Sequence, residues 1–243
     1  MFCGATHIRQ HWFLTAAHCL EWNFGVNPKS SELGKQNRIK VFMGMKNAEQ
    51  ALQKRLSTNL IMHPKYIRSI NTYNGTYYDI GLLRVEKPFT IGTKIKIARI
   101  GKYVSVGTKV VTVGYGMMED NQLSQKLQFI TLNITQIDKT ILICANSEGK
   151  NICTGDSGGP MYWRKSILVG VVSTSYKECS NGIGIYTSVP AFNTWIMRIT
   201  KAKLTRRAGA SASTIKNPKH LDIGTLLYSV VYAVYYRAFL LIK

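Results

Sequence analysis

Gly155-Asp156-Ser157-Gly158-Gly159-Pro160 sets a small hydroxyl residue among three glycines, behind a carboxylate and ahead of a proline. Glycines let the backbone turn tightly and leave its N–H groups uncovered. A serine displayed there is a candidate nucleophile, with the N–H groups of Gly155 and Ser157 aimed at a developing oxyanion. Alone, a Gly/Ser loop is more often only a turn. The reading therefore depends on whether the chain also supplies a base.

A serine hydroxyl is a weak nucleophile at neutral pH. It needs a base, and the base needs an orienting partner. Trp12-Phe13-Leu14-Thr15-Ala16-Ala17-His18-Cys19 and Tyr77-Tyr78-Asp79-Ile80-Gly81-Leu82-Leu83-Arg84 supply the candidates. His18 and Asp79 each stand at the edge of an apolar run, where a polar side chain is costly unless paired. The chain order His, Asp, Ser is one of those known for a catalytic triad. Together the three stretches resemble the chymotrypsin/trypsin-like serine endopeptidases. Leu14 to Cys19 matches that family's histidine motif, and Asp79 to Leu83 its aspartate motif, with Gly81 where alanine is usual. Gly155 to Pro160 matches its serine motif without change. The resemblance runs from about Cys3 to about Thr200.

The resemblance implies an all-β chain of two six-stranded antiparallel β-barrels, the first incomplete, followed by a C-terminal α-helix. It implies hydrolysis of peptide bonds in protein or peptide substrates through an acyl-enzyme, with no cofactor and no metal. Ser157 is the implied nucleophile, His18 the base, Asp79 its orienting partner, and the N–H groups of Gly155 and Ser157 the oxyanion hole. Ser173 matches the position whose backbone pairs with substrate and whose side chain approaches the aspartate. Asn151, six residues before the nucleophile, matches the floor of the primary specificity pocket. A neutral floor does not support a preference for Lys or Arg, and an apolar or aromatic residue before the cut is expected. Gly184 keeps one pocket wall open, Ser175 stands where glycine is usual and narrows the entrance, and Thr174 replaces a usual tryptophan. Family members expose a new N-terminus that pairs with the aspartate before the nucleophile, here Asp156. With no such segment ahead of Cys3, Asp156 is expected to turn outward or be protonated. The alternative function is that of a non-catalytic relative that binds partners through the same surface; its usual mark, a lost triad residue, is absent.

Composition narrows the remaining classes. The 243 residues are 45% hydrophobic, enough for one sizeable globular unit, and the formal net charge is +20. A basic balance can serve nucleic acid or anionic surfaces, but the basic residues do not cluster with a nucleic-acid motif, and no nucleic-acid partner is expected. The five cysteines form no C-x-x-C pair, which argues against zinc, and disulfides suit an extracellular, secreted protein. The family resemblance implies the pairs Cys3–Cys19 and Cys153–Cys179, leaving Cys144 as a buried free thiol. Asn74-Gly75-Thr76 and Asn133-Ile134-Thr135 are glycosylation acceptor patterns. The chain opens inside the domain, without a signal peptide.

Short apolar or alternating runs at Trp12–Ala17, Arg38–Met43, Arg55–Met62, Ile80–Val85, Thr108–Val113, Lys126–Ile134, Ile141–Cys144, Met161–Trp163 and Leu168–Ser173 read as strands of a barrel or sandwich. Phe192, Trp195, Ile196 and Ile199 share one helical face, with Pro190 in the first turn. Residues 1–200 are thus one protease-like domain. Residues 201–243 carry eight of the 32 basic residues and one of the 12 acidic ones. They divide into a basic linker and an apolar tail, Ile223 to Ile242. The uncharged run of that tail is shorter than the ~20 residues a spanning helix needs, so membrane association through it is not the favoured reading.

Overall fold

Lys109-Val110-Val111-Thr112-Val113-Gly114 shows why this chain makes sheet: β-branched residues at successive positions pack well on a pleated, two-sided surface. In the computed structural model, residues 2–21, 38–44, 51–66, 77–93, 95–164, 166–176, 182–200 and 230–234 are described. The strands are β1 (Phe2–Arg9), β2 (Trp12–Thr15), β3 (Lys40–Met43), β4 (Gln53–Met62), β5 (Gly81–Val85), β6 (Arg99–Ile100), β7 (Lys109–Gly114), β8 (Gln128–Asp138), β9 (Leu142–Asn146), β10 (Pro160–Trp163), β11 (Ile167–Tyr176), β12 (Ile183–Ser188) and β13 (Val230–Val234). Two helices, α1 (Ala17–Glu21) and α2 (Asn193–Thr200), complete the set. A 3-10 turn at Val189–Phe192, with Pro190 in it, leads into α2.

The first sheet is a closed barrel in the order β1-β13-β3-β4-β5-β2. The second runs β10-β7-β8-β9-β12-β11-β6, and β10 also pairs with β11, which turns the sheet back on itself. Leu60, Leu83, Val41 and Phe13 fill the first core, and Leu132, Ile143, Val169 and Val172 the second. A third cluster spans the two, drawing Leu14 and Leu82 from the first sheet, Ala16 and Ile80 from beside it, and Val113, Tyr162 and Val171 from the second. Trp195 and Ile196 of α2, with Phe192 before it, pack into the same cluster, as their spacing predicts. The candidate site lies along this seam.

Two expectations are corrected. The first barrel is closed rather than incomplete, because Val230–Val234 of the tail supplies the strand between β1 and β3. That run is rich in β-branched and aromatic residues, which suit a strand. Cys144 is free as expected, but on β9 it is only half-buried; burial and the neighbouring Asp138 push its thiol pKa up. The 201–219 linker, Asn74 and Cys179 fall outside the described residues, whereas Asn133 is exposed on β8. Among the described residues no helix is long and apolar enough to cross a membrane.

Candidate active site

His18 stands in the single turn of α1, directly after the apolar strand β2. Cys19 beside it is bonded to Cys3 of β1, so the helix is tied to the first barrel on both sides. Leu20 reaches toward β5, where a side chain at Gly81 would come within 2.6 Å of its Cδ1.

Asp79 follows a tight turn and precedes β5. Tyr78 holds that turn at φ +63°, unusual for a residue with a side chain. Its ring is fixed by stacking on His63 at 5.2 Å and by an edge contact with Phe192 at 5.8 Å. His63, at the turn that follows β4, thus helps to seat the aspartate. The Asp79 side chain is fully buried, whereas that of His18 is 23% exposed. His18 Nδ1 lies 2.7 Å from Asp79 Oδ2, and the His18 backbone N–H donates to Oδ1 at 2.9 Å. Ser173 Oγ donates to Oδ2 at 2.6 Å, as expected from its position. Thr187 Oγ1 donates to the Asp79 carbonyl at 2.8 Å. Burial alone would raise the carboxyl pKa, but the charge of His18 and the bonds from His18 and Ser173 outweigh it and hold the group below its ordinary value.

The serine loop is locked by its own backbone. Asp156 N–H donates to the Cys153 carbonyl, Gly159 N–H to the Asp156 carbonyl, and Gly158 N–H to the Val172 carbonyl. Gly155 and Gly158 sit at φ +99° and +76°, a region that disfavours any side chain. Among the described residues, the N–H groups of Gly155 and Ser157 make no hydrogen bond, while those of Asp156, Gly158 and Gly159 do. Gly4 N–H of β1 donates to the Ser157 carbonyl at 2.7 Å. A side chain at Gly4 would come within 2.7 Å of Gly159. The strand that carries Cys3 therefore presses directly on the serine loop.

Asp156 does not turn outward. Its carboxylate accepts the N–H groups of Gly116 at 2.8 Å and Cys153 at 3.0 Å. Among the described residues no cationic side chain pairs with it. Burial pushes its pKa up to about 6, against the pull of those two N–H groups. Elsewhere His7, buried and stacked on Phe13 at 4.6 Å, has its pKa lowered by burial to about 4.

These two shifts have opposite consequences. The native state binds the extra proton at Asp156 between pH ~4 and 6, so that site's contribution to stability is present in acid and is lost as pH rises through 6. The native state excludes the proton at His7 between pH 6.5 and ~4, so stability there is lost as pH falls. At about 1.4 kcal/mol per unit, each amounts to ~3 kcal/mol. The parent chain is expected to show little net slope from the pair. His7→Phe is expected to gain about 3 kcal/mol on the parent between pH 7 and pH 4, read from urea unfolding at both values. Parallel pH profiles would show that His7 is not held neutral.

The candidate specificity residues Asn151 and Gly184 meet at the start of β12. A side chain at Gly184 would lie 3.0 Å from Asn151 Oδ1 and 3.1 Å from the Tyr186 hydroxyl. Among the described residues, both amide atoms of Asn151 are buried without a hydrogen-bond partner, and the buried Tyr186 hydroxyl meets the Thr112 side chain. Thr112, near that hydroxyl, gives its own hydrogen to the Pro160 carbonyl. Thr174 is exposed and Ser175, opposite Gly184 across the β11–β12 ladder, is partly buried. Tyr186 was missed in the sequence because it reads as an ordinary strand residue, and Thr187 because its partner is a backbone carbonyl remote in sequence. Cys153 is disulfide-bonded, and Cys179 lies outside the described residues. Cys3, Cys19 and His18 lie close enough to suggest a metal site, but the two sulfurs are spent on each other as a disulfide and are not thiolate ligands.

A family model described as Trypsin matches residues 1–196. Submandibular glandular kallikrein-9 of Rattus norvegicus is 30% identical over 223 residues, covering 82% of this chain and 81% of that protein. Trypsin-1 of Salmo salar is 32% identical over 210 residues, covering 80% of this chain and 79% of that protein. The solved structure of neuropsin, a serine protease expressed in the limbic system of mouse brain, is similar with a TM-score of 0.67 and 25% identity. That likeness covers 82% of this chain and 88% of that one.

Proposed function

The chain belongs to the trypsin family of serine endopeptidases, whose substrates are proteins or peptides, and from that premise we propose that His18, Asp79 and Ser157 carry out its chemistry. The observation that carries this reading is the 2.7 Å contact of His18 Nδ1 with the fully buried Asp79. An aspartate so placed leaves Nε2 of the imidazole free of the N–H, and able to accept the serine proton. Ser157 Oγ attacks the peptide carbonyl as His18 takes its proton. The imidazolium then gives that proton to the leaving amine, and the acyl-enzyme forms. Water, deprotonated by His18 in turn, releases the acid product. The unpaired N–H groups of Gly155 and Ser157 support their assignment as oxyanion donors. The Cys3–Cys19 bridge supports an extracellular destination.

The pocket formed by Asn151, Tyr186 and Gly184 is proposed to take an uncharged side chain before the cut. The buried Asn151 amide, unpartnered among the described residues, favours one with an apolar or aromatic body and a tip that hydrogen-bonds, as tyrosine has. The test of the nucleophile is labelling by a fluorophosphonate probe. The parent is expected to label and Ser157→Ala to show none. Equal labelling of both would place the reactive serine elsewhere; no labelling of either would favour a binding homologue.

A further inference from the structure

We infer that β13, the strand Val230–Val234 of the C-terminal tail, is part of the catalytic unit: it holds the stretch of β1 that touches both the histidine helix and the serine loop. This inference rests on the triad reading above.

The register carries the argument. β2 pairs with β1 only at Thr6, His7 and Arg9. β13 pairs with Phe2, Cys3, Gly4, Ala5 and Thr6. Among the described strands, the half of β1 that bears Cys3 and Gly4 therefore has β13 as its one ladder partner. That half is also where β1 meets the site. Cys3 is bonded to Cys19, the neighbour of His18. Gly4 gives its N–H to the Ser157 carbonyl and accepts Thr15 Oγ1 at 2.8 Å. Backbone groups of a strand point to alternate edges. With Gly4 bonded to Ser157 and Thr15 on one edge, its neighbours Cys3 and Ala5 face the other, where β13 runs. On its far side β13 pairs with β3, Lys40 to Met43. Without it, β1 and β3 would each present an open edge, and the part of β1 that bears on the serine loop would lose the strand that holds it from behind. A reacting group displaced by about an ångström loses on the order of a hundredfold in rate.

The test has three parts on the full-length chain. Lys40 and Val234 are register partners, so Lys40→Cys/Val234→Cys is expected to form an intrachain disulfide on mild oxidation, found by mass mapping. Ala233→Pro, which removes a ladder donor opposite Cys3, is expected to lower the rate of Ser157 labelling per folded molecule by tenfold or more. The loss should fall on kcat for a peptide substrate rather than on KM. The same variant is expected to expose the Gly4 amide to hydrogen exchange while the β7–β8 amides of the second sheet stay protected. That pattern is local and would not follow from a uniform loss of stability. No cross-link, a cross-link only between two chains, or a Gly4 amide as protected in Ala233→Pro as in the parent would overturn the inference. If the parent itself fails to label, the triad reading falls, and the cross-link and the Gly4 exchange still decide the role of β13.

Discussion

Asp79→Asn is expected to reduce the rate of Ser157 acylation by about 10⁴-fold, with the chain still folded. The carboxylate takes three donors: the His18 ring, the His18 backbone N–H and the Ser173 hydroxyl. An asparagine has one acceptor oxygen, and its NH₂ group can only donate. Set toward His18 Nδ1, that NH₂ forces the ring to accept there and places the remaining N–H on Nε2, where the serine proton should go. Turned the other way, it faces the His18 amide N–H and leaves a buried donor unpaired, at a cost of about 1–3 kcal/mol. Either orientation removes the charge that stabilises the imidazolium. Stopped-flow labelling with the fluorophosphonate probe measures the rate, and circular dichroism the fold. A variant within tenfold of the parent would show that Asp79 is not the orienting group.

Asn151→Asp is expected to move the preferred residue before the cut to Lys or Arg. A buried carboxylate at position 151, beside the Tyr186 hydroxyl, has no ion-pair partner among the described residues. A substrate that brings one relieves a penalty of about 3–5 kcal/mol, or roughly 10²–10⁴-fold in kcat/KM relative to a neutral side chain. The measurement is a comparison of paired peptide substrates that differ only at that residue. The parent should favour Tyr over Lys, and the variant the reverse. If both enzymes rank the substrates alike, Asn151 is not the floor of the pocket.

Much of the site was legible because its chemistry is local. Leu14 to Cys19, Asp79 to Leu83 and Gly155 to Pro160 each present one reactive group in a constrained turn, and the residues that make the turn are adjacent in sequence. The helix after Pro190 was legible for the same reason: Phe192, Trp195 and Ile196 recur at helical spacing and are buried together. The side chains that hold the aspartate in place were not. Thr187 serves the Asp79 carbonyl across 108 residues, and Ser173 reaches the carboxylate across 94. Ser173 was found only through the family resemblance, and Thr187 not at all. Tyr78 and His63 hold the aspartate's turn by ring stacking, which leaves no pattern in the order of residues. Asp156 shows the same limit from the other side. Its residue type could not reveal that two backbone N–H groups would keep it turned inward without a cationic side chain.

By itself the sequence determined the all-β class, the serine-endopeptidase family and the helix that follows the second sheet, and it singled out His18, Asp79, Ser157 and Asn151 as the candidates for its site. Each depends on residue type at short range. The tertiary structure alone decided that the first barrel is closed, and by which strand. Val230–Val234 is an apolar run with no partner nearby in sequence, and its length suits a strand or part of a helix equally. A strand becomes one only when a neighbouring edge satisfies its N–H and C=O groups. For this run the edges are β1 and β3, some 190 to 230 residues earlier in the chain.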